Sequence, residues 1–419
     1  MLLDNNENQV SVKRLVLKKL CTPSVLSIII ISVFTLLTFK YWIWWDKNQF
    51  SNDVDQYYSF LVAQFIHHDL TFHFPHTYWL MPTPIGEMVP KVTMGIALLN
   101  IPFFVLADNI AYVFNYETLG YSAPYAWCIH FGAIFYVLIG LCYLRKTLLL
   151  FFNEWITALT LLSILFATNL FYYTYRETEM PHSYLFFLFS VFMYHVIKWH
   201  HVNKIRHLYF FCFTAGFIAL IRPTEALILL IPLLYQVTSF KLLKEKFLIL
   251  LNLKWKLVIA IFIFLSPIIP QLIFWKIQTG QFLFFSYGSA ERFFFNDPRI
   301  YSVLLGWHKG WLIYTPLMIL AITGIIIMFK KWRVMFFPIG IYLLVNIYLI
   351  SSWWDWGFGG AYGMRALVQT YALMALPLAF VFNYLFKLPV NKWFKSLIIF
   401  FTLFFTIGCG YINIYQTYL

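Results

Sequence analysis

The sequence predicts an all-α polytopic membrane protein, a bundle of about 11 transmembrane helices with a long first outer loop carrying membrane-surface helices. Composition is the first reason: of 419 residues, 61% are hydrophobic and only 11% charged, with a mean hydropathy of +0.73, well outside the balance of a soluble domain. The second is that apolar runs near the ~20 residues a spanning helix needs recur along the whole chain. The third is that basic residues cluster in alternate connections, as short cytoplasmic loops require.

The apolar runs place spans at 23–45, 122–144, 154–174, 183–199, 207–221, 226–240, 256–275, 312–329, 334–350, 366–386 and 394–414. Residues 1–22 form a basic cytoplasmic tail with a short helix along Val12–Leu20, and 23–419 form a single transmembrane domain. The first run has no small-residue cleavage site, so it is expected to stay as an anchor. Five scattered cysteines without a CxxC pair read as small apolar filler.

Val92–Phe114 is also long enough to cross, and counting it would reverse the sidedness of every later loop. Charge decides against that. If the segment does not cross, 20 of the 30 basic residues and only 4 of the 17 acids lie inside, about +16 against −3 outside. The segment is therefore read as re-entrant or interface-lying, two short helices broken near Asn100-Ile101-Pro102. The net charge of +13 then becomes an orientation signal with affinity for anionic membrane lipids, and no nucleic-acid partner is expected.

The first outer loop, 46–121, carries two acids at its start, Asp53 and Asp55. An ionised carboxylate costs roughly 2.5–3.5 kcal/mol at a bilayer centre, so acids in such a chain gather at interfaces and cavities. From Val54 to His68 the positions Tyr57, Tyr58, Leu61, Val62, Phe65 and Ile66 make one sticky helical face for the membrane surface. That helix would hold both acids at its N-terminus, where Asp53 could equally serve as a cap. Further on, His67, His68, His73 and His76 lack an i,i+4 pair with a carboxylate partner, which speaks against metal. Tyr57, Tyr58, Tyr78 and Trp79 could line a cleft for a sugar.

The second outer loop, Tyr175–His182, packs Arg176, Glu177, Glu179 and His182 into eight residues. It is either a solvated turn with an internal Arg–Glu pair, worth at most about 1 kcal/mol, or a set of side chains, Glu177, Glu179 and His182, that binds an acceptor or a metal. The third turn, Arg222–Glu225, offers an arginine suited to two-point phosphate binding, against the plainer reading of a snorkelling side chain. The fourth loop, Lys276–Trp311, is the longest polar stretch of the C-terminal half and includes Arg292 and Lys309. The last, 351–365, sets Asp355 and Arg365 around a Trp cluster with glycines that allow close backbone approach.

Together these features resemble the GT-C superfamily of membrane glycosyltransferases, such as the protein O-mannosyltransferases and the lipid A aminoarabinose transferases. The likeness rests on the Asp and Tyr pair opening the first loop, the short acidic second loop and the Arg-bearing turn. Ser286-Tyr287-Gly288, Gly306-Trp307-His308-Lys309-Gly310-Trp311, Tyr314-Thr315-Pro316 and Gly363-Met364-Arg365 are similar to bacterial members.

The resemblance implies transfer of a sugar from a polyprenyl-phosphate carrier to an acceptor lipid, glycan or protein, with inversion, on the periplasmic side of a bacterial cytoplasmic membrane. Asp53 would be the general base, with Asp55 an alternative beside it. Arg222, Arg292, Lys309 and Arg365 would stabilise the departing phosphate. No cofactor is implied with certainty, and a divalent cation is left open. The rival class is a lipid-linked sugar flippase or transporter, disfavoured because its ionisable residues would sit at midplane in repeated, broken helices.

Overall fold

A computed structural model describes residues 21–41, 50, 53–74, 80–288 and 291–418. The tail helix along Val12–Leu20, and His76, Tyr78 and Trp79, lie outside the described residues. The described chain is mostly helical, and its strand content is one two-stranded antiparallel ribbon, β1 (Met81–Pro82) against β2 (Met88–Val89), with an isolated bridge between Phe293 and Trp353.

In chain order the helices are α1 (Pro23–Tyr41), α2 (Asp53–Val62), α3 (Gly95–Val113), α4 (Ala123–Leu148), α5 (Glu154–Phe166), α6 (Leu170–Tyr175), α7 (Pro181–Val202), α8 (Ile205–Ile221) and α9 (Leu230–Leu234). The second half adds α10 (Phe240–Asn252), α11 (Trp255–Leu265), α12 (Ile269–Thr279), α13 (Ile300–Leu305), α14 (Trp311–Tyr314), α15 (Leu317–Lys331), α16 (Arg333–Ser351), α17 (Tyr371–Phe386) and α18 (Lys392–Tyr418). Every one of the eleven expected spans contains helix. The division is finer than expected: five described helical segments are long and apolar enough to cross a membrane, or six if α10 and α11, bent by 90°, count as one. Asn169 and Pro316 fall where the expected spans 154–174 and 312–329 break or restart, and Pro223 lies in the expected turn between 207–221 and 226–240.

At the centre α4 packs between α3 and α7, α7 packs on α8, and α15 packs on α17. Small residues permit the close crossings, as bilayer helices require in place of a hydrophobic drive. A Cβ on Gly132 would lie 2.6 Å from the Phe103 ring, and one on Gly324 would meet the carbonyl oxygen of Pro377. Segment 365–386 is the most enclosed of the candidate spans and α18 the least, with Phe400, Phe401, Phe404 and Tyr411 exposed for lipid.

Two sequence expectations are corrected here. Gly95–Val113 is one continuous helix with Pro102 inside it, and no break occurs at Asn100-Ile101-Pro102. The strain is offset by packing: Asn100 hydrogen-bonds Tyr184 at 2.8 Å, the Tyr136 hydroxyl donates to Leu99 O at 2.7 Å, and Tyr125 donates to Asp108. Both flanks of α3 are tied to α2, through Lys91 N to Gln56 Oε1 at 2.9 Å and the Tyr58 hydroxyl to Gly120 O. By length and composition α3 is itself one of the five segments able to cross a membrane.

The second correction concerns α2, whose sticky face meets protein rather than the membrane surface. Tyr57, Tyr58, Leu61 and Val62 are buried, because α3 and the aromatic side chains Phe50, Phe104 and Tyr121 cover them. Only Phe65, in the π-helical turn Ala63–His67, keeps substantial exposure.

Candidate functional site

The site forms where the N-terminus of α2 meets the turn preceding α17. Asp53 and Asp55 occupy the first turn of α2, where unpaired backbone N–H groups favour carboxylates. They diverge from there. Asp53, with 48% of its side chain exposed, faces Arg365 Nη2 at 3.5 Å. Asp55 is buried on another face, with the Tyr121 hydroxyl 3.4 Å away and Tyr58 in its field.

Arg365 starts the 3-10 turn Arg365–Thr370. Its approach depends on Gly363, whose φ of +61° is left-handed and whose absent Cβ would lie 2.8 Å from Tyr314 Cβ, so only glycine fits. Behind this loop, Asn169 between α5 and α6 accepts a 2.6 Å hydrogen bond from Tyr371 and donates to Tyr362 O at 3.1 Å. Tyr173 donates to the same carbonyl at 3.1 Å. The loop backbone is thus held by buried polar groups from the other half of the chain.

Tyr57, one helical turn after Asp53, is buried among Tyr287, Arg222, Asp53 and Arg365. Tyr287 lies in the same field, with Glu291 added. Burial raises both phenols' pKa, so they remain O–H donors between the acid and the two arginines. Arg222 is the extended residue that ends α8, and its guanidinium lies 5.8 Å from the Phe358 ring centre. The turn carrying it is anchored by buried Glu225, which accepts from Tyr342 at 2.9 Å and Gln369 at 2.6 Å.

Glu177 and Lys309 close another side. The Tyr172 hydroxyl donates to Glu177 at 2.9 Å. Burial pushes the Glu177 carboxyl above its usual range, with Glu179 adding to the rise and Tyr172, Arg365 and Lys309 opposing it. Lys309, also buried, donates to Ala361 O, and desolvation lowers its pKa in the field of Arg365, Glu177 and Asp355. The internal Arg176–Glu pair of the plainer reading does not form: Arg176 donates to Thr417 O at 2.9 Å instead.

His182, at the start of α7, sits beside Gln369 and in the field of Arg222 and Arg365, yet neither ring nitrogen closes a hydrogen bond of good geometry. Arg365 Nε and Gln369 Oε1 are buried and unpartnered as well. Such orphans are rare in a folded interior. With Arg222 these side chains form the polar surroundings of the site on the α7 side.

The structure thus brings together Asp53, Glu177, His182, Arg222, Lys309 and Arg365. It separates three other candidates from them. Asp55 points elsewhere, Glu179 hydrogen-bonds His130 at 3.2 Å, and Arg292 lies over Phe294 at 5.1 Å to the ring centre. His73 pairs with Glu87 at 3.0 Å and His67 stacks on Phe74. Among the described residues no group of three or more His, Cys, Asp or Glu side chains gathers as a metal set. Glu225, Gln369 and Asn169 were not identified from sequence as parts of a site. A glutamine and an asparagine within otherwise apolar runs were the available signals.

No family model matches the chain, and no curated protein matches it. Among solved structures, it is similar to the crystal structure of ArnT from Cupriavidus metallidurans in the apo state, with a TM-score of 0.51 and 15% identity. The match covers 83% of this chain and 57% of that one, so the chain spans little more than half the length of that protein. At that identity the likeness is one of fold: the chain is a polytopic helical membrane protein with an ArnT-like architecture.

Proposed function

We propose that this protein is a glycosyltransferase that moves a sugar from a polyprenyl-phosphate carrier to an acceptor hydroxyl, with inversion, at the outer face of a bacterial cytoplasmic membrane. The observation that carries this reading is the meeting of Asp53 with Arg365 across 312 residues of chain, with Arg222, Lys309 and Glu177 around them. A half-exposed carboxylate can take the proton of an attacking hydroxyl. Cations beside it can receive the phosphate that leaves, and each such preorganised donor is worth about 10²–10³ in rate.

In this scheme Asp53 is the base, because Asp55 is buried away from the cations. Arg222, Arg365 and Lys309 hold the phosphate, and Tyr57 and Tyr287 donate hydrogen bonds in the same space. Arg292 is left to the adjoining loop. The activated carrier supplies the driving force, so no nucleotide pocket is needed.

The test is transfer from polyprenyl-phosphate sugars by the reconstituted full chain, comparing wild type with Asp53→Asn. Formation of a glycoside by the wild type, lost in the variant, supports the reading. Equal movement of the sugar lipid across the bilayer by both proteins, with no glycoside formed, would replace it with the transporter.

A further inference from the structure

Next to the site lies a groove of about 360 Å³ that the mechanism above does not use. Its walls include Trp353, Trp354, Trp356 and Phe294, with Asp297 and Arg299 among its polar residues. It is built rather than accidental: Phe294 N donates to Ser352 O at 2.5 Å, Arg299 N to Ser351 O at 2.8 Å and Trp354 N to Arg292 O at 3.1 Å, which zips the 291–299 loop onto the end of α16. Trp354 is 46% exposed and Phe294 44%. Large aromatic faces left open beside polar groups usually mark a binding surface.

The groove communicates with the site through one wall. The ring of Trp353 lies 5.6 Å from that of Tyr287, at 90°, and Tyr287 stands in the field of Asp53, Arg222 and Arg365. On the other side Asp355, between Trp354 and Trp356, acts on Lys309. The groove therefore adjoins the side chains around Asp53 through the Trp353–Tyr287 contact.

We infer that this groove is a saccharide subsite, so that the acceptor is a glycan or a glycan-bearing molecule. The chemistry of the lining selects that class. Asp297 and Arg299 pair with each other at 2.8 Å and leave no net charge, which gives an anionic headgroup little hold. A neutral sugar fits both halves: its hydroxyls donate to the carboxylate and accept from the guanidinium, while its C–H face lies against indole.

This inference rests on the transferase reading only for the word acceptor, and the experiment separates the two. The full chain in nanodiscs is probed by saturation-transfer NMR with glucose, galactose, N-acetylglucosamine and a β-1,4-linked disaccharide, with inorganic phosphate as competitor. The expected result is saturation of ring C–H protons on at least one saccharide, unaffected by phosphate and weakened tenfold or more in Trp354→Ala and in Asp297→Asn. Wild-type binding without any glycoside transfer keeps the subsite and removes the transferase. Transfer without saccharide binding, displacement of the sugar by phosphate, or binding indifferent to both groove variants overturns the subsite.

Discussion

The molecule has two polar poles at opposite ends of α7, a helix of 22 residues and so about 33 Å long. At the start of α7 lies the candidate site, with acids and cations from α2, the 176–180 turn, the end of α8, the 306–310 loop and the turn before α17. At the far end His195 meets His207 at 2.9 Å, Lys246 meets His200 at 2.7 Å, and Lys246 donates to Tyr235 O at 2.6 Å. Those contacts join positions only 12, 46 and 11 residues apart and include no acid. The Asp53–Arg365 pair joins positions 312 apart. Polar contacts between packed helices satisfy buried groups; opposite charges drawn from distant parts of a chain, one of them half exposed, are what a substrate site requires.

The strongest way to break this contrast is at Asp53. Asp53→Asn should cut transfer by about 10²–10⁴, the usual contribution of a positioned base, with the melting temperature unchanged because the side chain is half exposed. Next, Arg365→Ala should lower the single-turnover transfer rate by about 10²–10³; an unchanged rate would move the phosphate away from this arginine.

Asp55→Asn sharpens the comparison within one helix. It should cost about 1–3 kcal/mol of stability through its buried hydrogen bonding, read by thermal unfolding, while transfer per folded molecule stays near wild type. Equal loss of transfer in both variants would undo the assignment of Asp53 as the base.

Glu177 gives a pH signature. Burial raises its folded pKa, so its contribution to stability is complete at low pH, below its unfolded value, and is lost as pH rises through the folded one. Glu177→Gln should therefore flatten the fall in melting temperature above the ordinary carboxylate range. The smallest effect belongs to the far pole: Lys246→Met should leave transfer unaltered and shift stability by about 1 kcal/mol, since it removes a buried charge as well as its hydrogen bonds.

Much of this arrangement was legible from residues in order. The apolar runs marked where helices would lie, and the acids and arginines between them marked the candidates for a site. Helix subdivision was less legible, because Asn169 and Pro316 interrupt runs that hydropathy alone joins. Sequence predicts a break near Pro102 that does not form, since the partners that stabilise the helix, Tyr184 and Tyr136, come from later in the chain. The α2 face was assigned to the membrane because an amphipathic pattern reports only that a surface is covered, not by what.

From composition and periodicity alone followed a helical membrane protein, with its charged residues confined to connections, because burying charge in lipid is costly wherever it occurs in the chain. Folding alone distinguished Asp53 from Asp55. Two positions along α2 turn a side chain by roughly 200° about its axis, and which direction faces Arg365 and which faces Tyr121 depends on elements that residues 53–55 cannot specify.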